Sequence, residues 1–229
     1  QKRGGNIMIP AFAVGRTQEL LFYLGQLHRD GLLDNWQVIL DSPMAIEVTK
    51  VYDRWFESLD SQEIEQATPK AHSIIKDFIP RLFLSVTTEN SMAVNNIAKG
   101  AIIIAGSGMC TGGRIRHHFK QRIWDSRNTI IFCGFQAQGT LGRLLVDGKQ
   151  YIKIFNESYN VKAKVETLGG FSAHAGQQEL MDWVSNFDDS TRVALVHGDP
   201  EALEALSQRL WNEKKIATDI PQVGHCIAF

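Results

Sequence analysis

The 229-residue sequence lacks several features that would assign it to a specialised class of protein. Its three cysteines, Cys110, Cys133 and Cys226, are too few and too widely spaced for a disulfide framework or a CxxC metal site. No apolar run reaches the roughly 18 residues that a membrane span needs. Lysine and arginine number 24 against 25 aspartates and glutamates, so a globally basic surface for nucleic acid is absent. These absences predict a cytoplasmic globular protein without a membrane partner.

The segments that are present are typical of an α/β protein. Short apolar segments such as 101–105 alternate with segments of helical spacing such as 17–28. This alternation predicts a mostly parallel sheet with helices on both faces. Further along, residues 161–168 alternate between polar and apolar, which suits a half-exposed strand. We therefore expect a domain boundary near residue 160, which divides the chain into residues 1–160 and 161–229.

A glycine-rich loop at residues 106–113 follows a predicted strand and precedes a predicted helix. Glycines let the backbone approach a ligand closely, and the amides at a helix start attract anions. The helix carries Arg114, His118 and Arg122 at i, i+4 and i+8, which suits a phosphate backbone; the alternative is a tight turn before a solvated helix. The glycine spacing misses the GxGxxG dinucleotide fingerprint. The candidate RNA or phosphate contacts in this region are Ser107, Gly108, Thr111, Gly112 and Arg114.

A second glycine-rich loop at residues 134–143 repeats this arrangement directly after another predicted strand. Thr140 and Arg143 are its candidate anion contacts, and the alternative is a loop with an ordinary helix cap.

Two residues at the ends of earlier strands have open roles. Asp41 is either an active-site carboxylate or a cap, and Arg16 is placed either to reach phosphate or to pair with Asp41.

Two histidines, His174 and His197, each follow a predicted strand and precede a predicted helix. Parallel strands end at one sheet edge, where ligands usually bind, so we expect both imidazoles to lie near one pocket. Histidine serves as a metal ligand and as a general acid or base, although a single histidine is more often structural. His225, close to the end of the chain, is a weaker candidate to join them.

At these residues the chain resembles the β-CASP family of metallo-β-lactamase-fold RNA nucleases. That family includes the nuclease subunit of cleavage and polyadenylation specificity factor and its bacterial and archaeal relatives. The matching motifs occur in family order across nearly the whole chain, and together they are highly specific. They are IPAFAVGRTQEL (9–20), LDSPMA (40–45), SGMCTGG (107–113), GFQAQGTLGR (134–143), FSAHA (171–175) and VHG (196–198).

The resemblance implies a fold and a role for several residues. Residues 1–160 would form the β-CASP domain, which clamps single-stranded RNA, and residues 161–229 the last strand and helix segment of a metallo-β-lactamase domain. His174 would contact the scissile phosphate and assist proton transfer, His197 would bind zinc, and Ser172 would help to hold phosphate. The intact enzyme would use two zinc ions, and the family analogy suggests a homodimer.

The HxHxDH zinc motif of the family does not occur in this sequence. We therefore expect the chain to be the C-terminal part of a longer zinc-dependent ribonuclease and to be inactive alone. The other zinc ligands would come from an N-terminal metallo-β-lactamase half. One alternative is a non-catalytic scaffold or RNA-binding module of the same family. A weaker alternative is a nucleotide-binding Rossmann-like domain.

Overall fold

A computed structural model of the chain describes residues 3–55, 79–171, 174–188 and 191–226. The chain divides into two compact units, Gln1–Phe171 and Ser172–Phe229, which we call the large unit and the small unit. None of the described helices is both long enough and apolar enough to cross a membrane.

Strands and helices alternate along the large unit, as the sequence predicts, and six of the strands form one parallel sheet in the order β3-β2-β4-β1-β5-β8. The other two, β6 and β7, form an antiparallel hairpin. The elements are β1 (Ile7–Pro10), α1 (Arg16–Arg29), β2 (Gln37–Leu40), α2 (Pro43–Trp55), β3 (Leu82–Leu84), α3 (Thr88–Ala93) with a following 3-10 turn (Val94–Asn96), β4 (Ala101–Ala105), α4 (Ile115–Arg122), β5 (Thr129–Phe132), α5 (Leu141–Val146), β6 (Tyr151–Ile154), β7 (Glu157–Asn160) and β8 (Lys164–Thr167).

Helices cover both faces of the large sheet. The central strand β4 has the sequence AIIIA and is buried along its whole length, because a strand covered on both faces has no polar side. Ile104 belongs to the apolar cluster that α1 and α2 close on one face. Met8 lies on the opposite face, in a cluster with Phe119 of α4. The prediction of a mostly parallel sheet flanked by helices is therefore confirmed.

Fewer elements make up the small unit. They are α6 (Gln177–Val184), β9 (Val193–Ala194), α7 (Pro200–Lys214) and β10 (Thr218–Asp219), and the two short strands pair in parallel. Its buried apolar cluster consists of Met181, Val184, Leu195 and Leu210.

Candidate nucleic-acid interface and histidine site

The carboxyl ends of the parallel strands form one edge of the large sheet, and both glycine-rich loops start there. The two loops are joined by hydrogen bonds. The side-chain amide of Gln136 donates to the carbonyl of Gly108 at 3.1 Å, and the N–H of Gly142 donates to the carbonyl of Met109 at 3.1 Å. A Cβ at residue 142 would lie 1.7 Å from Oε1 of Gln136, so a larger residue there would displace the side chain that joins the two loops. The two predicted loops therefore form one continuous surface.

The loop at residues 106–113 is closed by its own hydrogen bonds. The hydroxyl of Ser107 accepts from the N–H of Gly112 at 3.1 Å and lies 3.5 Å from the hydroxyl of Thr111. The loop ends also touch, because Gly113 has φ +72° and a Cβ there would lie 2.2 Å from the carbonyl oxygen of Gly106. Thr111 is exposed, whereas Gly108 is buried.

The loop at residues 134–143 ends in a helix cap. Thr140 is the N-cap of α5, where its hydroxyl accepts from the N–H of Arg143 at 3.1 Å and donates to the carbonyl of Ala137 at 2.7 Å. Arg143 reaches Asp147 one turn later, with Nε 2.9 Å from Oδ1, and 30% of its side chain is exposed. Thr140 therefore caps the helix, as the alternative interpretation of this loop predicts, and Arg143 is a partly exposed cation at the surface.

Asp41, at the end of β2, is fully buried within a network that sequence reasoning missed. Its Oδ1 accepts from Nη1 of Arg114 at 2.8 Å, and its Oδ2 accepts from the hydroxyl of Ser91 at 2.6 Å and lies 2.6 Å from Nε2 of His118. Arg114 also donates to the carbonyls of Ser85 and Val86, at 2.9 and 3.1 Å. Asp41 is therefore a buried anchor for the loop and the helix that follow β4.

The protonation states in this network follow from its geometry. Burial alone would raise the pKa of Asp41, but hydrogen bonds from His118 and Ser91 hold that pKa well below its usual range. Burial lowers the pKa of His118, against the opposing effect of Asp41. Nη1 of Arg122 lies 3.4 Å from Nδ1 of His118, and arginine can only donate, so we assign the Nε2–H tautomer, which donates to Asp41.

Two residues of the expected stripe, His118 and Arg122, face the protein interior rather than solvent, whereas 22% of the Arg114 side chain is exposed. His118 is 1% exposed and Arg122 is 4% exposed, and Arg122 donates to the carbonyl of Val94 at 2.6 Å. The expected phosphate-facing stripe is therefore wrong for these two residues. The physical reason is that a buried carboxylate, Asp41, needs partners on this side of α4.

Arg16 does not pair with Asp41, and that alternative is wrong. Its guanidinium pairs with Glu19, donates to the carbonyl of Phe171 and lies 5.3 Å from the centre of the Phe171 ring. Because only 16% of its side chain is exposed, Arg16 helps to hold Phe171 against α1.

The small unit places each candidate histidine ahead of a helix, as the sequence predicts. His174 precedes α6 and His197 precedes α7, and both are exposed, as is His225. The strands before them do not share a sheet, however: β8 pairs with β5 in the large sheet, whereas β9 pairs with β10. The argument from one common sheet edge is therefore wrong. Ser172 lies outside the described residues.

His197 borders an apolar cavity. It has φ +63° and lines a space of about 460 Å³ together with Trp183, Leu203 and other residues of α6, β9 and α7. His174 is not among the lining residues. In residues 3–55, 79–171, 174–188 and 191–226, no group of three or more His, Cys, Asp and Glu side chains could hold a metal ion. These residues therefore do not build a zinc site by themselves.

Comparison with known protein families fits this architecture. The family model described as the Beta-Casp domain matches residues 17–145. The chain belongs to the β-CASP family of metallo-β-lactamase-type RNA nucleases. A second model, described as a Zn-dependent metallo-hydrolase RNA specificity domain, matches residues 158–221, which include both His174 and His197. The boundary near residue 160 and the role of each site residue stay predictions.

Curated relatives of this chain are nucleases and transcription factors by name. The chain is 41% identical over 212 residues to a Thermus thermophilus ribonuclease, which covers 91% of this chain and 46% of that protein. It is 35% identical to a Pyrococcus abyssi protein named transcription termination factor FttA, which covers 96% of this chain and 34% of that protein. The chain thus spans less than half the length of these relatives.

Proposed function

We propose that the chain forms the RNA-binding part and one side of the reaction centre of a zinc-dependent ribonuclease. The match of residues 158–221 to an RNA specificity domain carries this proposal, because the same residues contain both exposed histidines. The large unit would hold single-stranded RNA, and the small unit would act on the phosphodiester.

Binding of RNA is assigned to the carboxyl edge of the large sheet. Thr111 and Arg143 are accessible there, and Ser107, Gly108, Gly112 and Thr140 hold the loops that present them. Asp41 and the carbonyls of Ser85 and Val86 hold the guanidinium of Arg114, and the 22% of that side chain that is exposed can contact a phosphate.

Two histidines are assigned to the chemistry. Hydrolysis forms a bond between water oxygen and phosphorus and breaks the bond to the leaving ribose oxygen, which must gain a proton. His174 would hold that proton at the leaving oxygen, and Ser172, two residues earlier in the sequence, would help to hold the phosphate. His197 would supply one imidazole to zinc, a Lewis acid that activates water when bound. A zinc ion needs several ligands in one cluster, and we propose that those besides His197 come from the N-terminal metallo-β-lactamase half implied by the family resemblance.

The proposal includes two further partners: an N-terminal metallo-β-lactamase half and, by family analogy, a second copy of the chain. The N-terminal metallo-β-lactamase half would supply those ligands, and the proposed homodimer would be seen as a doubled mass in light scattering. A scaffold or RNA-binding module of the same family would bind RNA equally well but would have no such half with an intact HxHxDH motif.

Single-turnover cleavage of a labelled RNA by the longer protein tests this proposal. His174→Ala should slow cleavage by roughly 10²- to 10⁴-fold, the range for loss of a general acid or base, with little change in RNA Kd. His28→Ala is the control, because His28 lies in the last turn of α1 and is not a candidate site residue. Unchanged cleavage by the His174 variant would refute the assigned role, and a longer protein without the HxHxDH motif would favour the scaffold.

A further inference from the structure

Two phenylalanine rings stand exposed at the carboxyl edge of the large sheet. Phe12 follows β1 and is 50% exposed, and Phe135 follows the neighbouring strand β5 and is 60% exposed. A single exposed aromatic residue needs no explanation. These two rings are notable because both flank the same glycine loop.

The ring of Phe12 rests directly on that loop. A Cβ at residue 108 would lie 2.6 Å from Cδ2 and 2.7 Å from Cε2 of Phe12, so the ring packs where only glycine leaves room. The carbonyl of Phe12 accepts from the hydroxyl of Thr17 at 2.7 Å, which holds the backbone as well. Phe12 is therefore a positioned ring that remains half accessible.

Phe135 is connected to the same point through Gln136. The buried side-chain amide of Gln136 donates to the carbonyls of both Gly108 and Phe135, at 3.1 Å each. Both phenylalanines are therefore linked to Gly108, Phe12 by the packing of its ring and Phe135 through hydrogen bonds of Gln136. The ring of Phe12, which is already held by packing, would lose little conformational freedom when a ligand stacks on it, whereas at Phe135 the hydrogen bond holds the backbone.

The three segments that carry and flank the rings contain arginines and no acidic residue of their own. The segments 11–16, 106–114 and 134–143 contain Arg16, Arg114 and Arg143 and contain no aspartate or glutamate. Each of these arginines has a carboxylate partner: Arg114 pairs with the fully buried Asp41, Arg16 with Glu19 and Arg143 with Asp147. The accessible part of each guanidinium is the part that a phosphate would reach. Aromatic rings beside cationic groups suit single-stranded nucleic acid, whose bases stack and whose phosphates are anionic.

We propose that Phe12 and Phe135 are stacking platforms for two bases of single-stranded RNA. This inference rests on the proposed RNA-binding function and adds the residues that contact the bases. Stacking tolerates any base, because every base has an aromatic face, so the platforms contribute affinity rather than sequence preference.

Fluorescence anisotropy with a labelled single-stranded RNA and the 229-residue chain tests the platforms. Phe12→Ala and Phe135→Ala should each raise Kd by about 5- to 150-fold, the range for loss of one stacked base. Phe135→Trp should bind at least as tightly as the unchanged chain. Tyr151→Ala is the matched control, since Tyr151 is 64% exposed but lies in the β6–β7 hairpin.

Three further measurements separate stacking from other causes. Phe12→Leu keeps an apolar contact on Gly108 but removes the aromatic face, so it should bind weakly while melting at an unchanged temperature. The slope of log Kd against log salt should stay constant in the phenylalanine variants and fall by about one in Arg143→Gln. A 2-aminopurine base in the RNA should be quenched on binding, and quenched less in the double alanine variant.

The outcomes distinguish this inference from the proposed function. If the chain binds RNA and the phenylalanine variants bind as tightly as the unchanged chain, the platforms are refuted and the rings are more suited to contact another protein surface. If the unchanged chain fails to bind RNA at low salt, the proposed RNA-binding function is refuted as well.

Discussion

The two units differ in how deeply their candidate polar residues are buried. In the large unit, Asp41 and His118 are 0% and 1% exposed and bind each other at 2.6 Å. In the small unit, His174 and His197 lie in exposed segments ahead of helices. The large unit also has apolar clusters on both faces of its sheet, whereas the small unit has one cluster of four buried residues.

This difference in burial indicates that the polar residues of the large unit support its structure, whereas the histidines of the small unit are available for chemistry. A buried ion pair is expensive to desolvate, so the charged residues of the large unit must be fully partnered and serve to hold its loops. Both imidazoles of the small unit are exposed, and that of His197 also borders an apolar cavity, so a substrate or further ligands can reach them. Substitutions in the large unit should therefore affect stability, and those at the small-unit histidines should affect activity.

The largest expected effect is that of Asp41→Ala. Removing the carboxylate leaves Arg114 and His118 without their buried partner, which should lower the free energy of unfolding by about 3–5 kcal/mol. Urea denaturation followed by tryptophan fluorescence measures this loss. His197→Ala is the contrasting variant and should change stability by less than about 0.5 kcal/mol. Equal losses in both variants would remove the distinction between the units.

Two adjacent glycines provide a matched pair for the loop. At Gly113, φ is +72° and a Cβ would lie 2.2 Å from a backbone oxygen, so Gly113→Ala should destabilise the large unit by about 2–4 kcal/mol. Nothing lies within 4 Å of a Cβ at Gly112, and Gly112→Ala should cost less than about 1 kcal/mol. Thermal melts of the two variants compare these costs. Similar melting temperatures would show that the loop is not closed as described.

The smallest expected effect is a pH dependence from His118. Because its pKa is lowered in the folded protein, the unfolded chain takes up a proton below pH about 6.5 that the folded chain does not. Stability should therefore fall as pH falls from about 7 to 5, by at most about 1.4 kcal/mol per pH unit. His118→Gln can still donate to Asp41 and should flatten this slope in urea titrations. An unchanged slope would assign the acid sensitivity to other groups.

Much of the fold could be predicted from the sequence, and parts of the site could not. The apolar run of β4 predicts a buried parallel strand, and the glycines after it predict a tight loop. Both predictions succeed because they depend on residues that are close together in the sequence. The inward direction of His118 and Arg122 depends on Asp41, 77 residues from His118 along the chain. One signal in the sequence could have predicted this burial. The apolar residues Ile115, Phe119 and Ile123 each follow a residue of the Arg114, His118 and Arg122 stripe by one position, so the two sets lie on adjoining sides of α4.

The strands before the two histidines were predicted, but the expectation that they end at one common sheet edge was wrong for a similar reason. Local alternation identifies a strand such as β8 but does not say which sheet it joins. Pairing is decided by long-range packing, so the two histidines are preceded by strands of different sheets.

The most direct test of this division is a salt titration of RNA binding by the 229-residue chain. We predict measurable binding at low salt, a linear fall of log affinity with log salt, weakened binding in Phe12→Ala and Phe135→Ala, and affinity within twofold of the unchanged chain in His197→Ala. No binding at low salt, or a loss of affinity confined to the His197 variant, would contradict the assignment of RNA binding to the large unit.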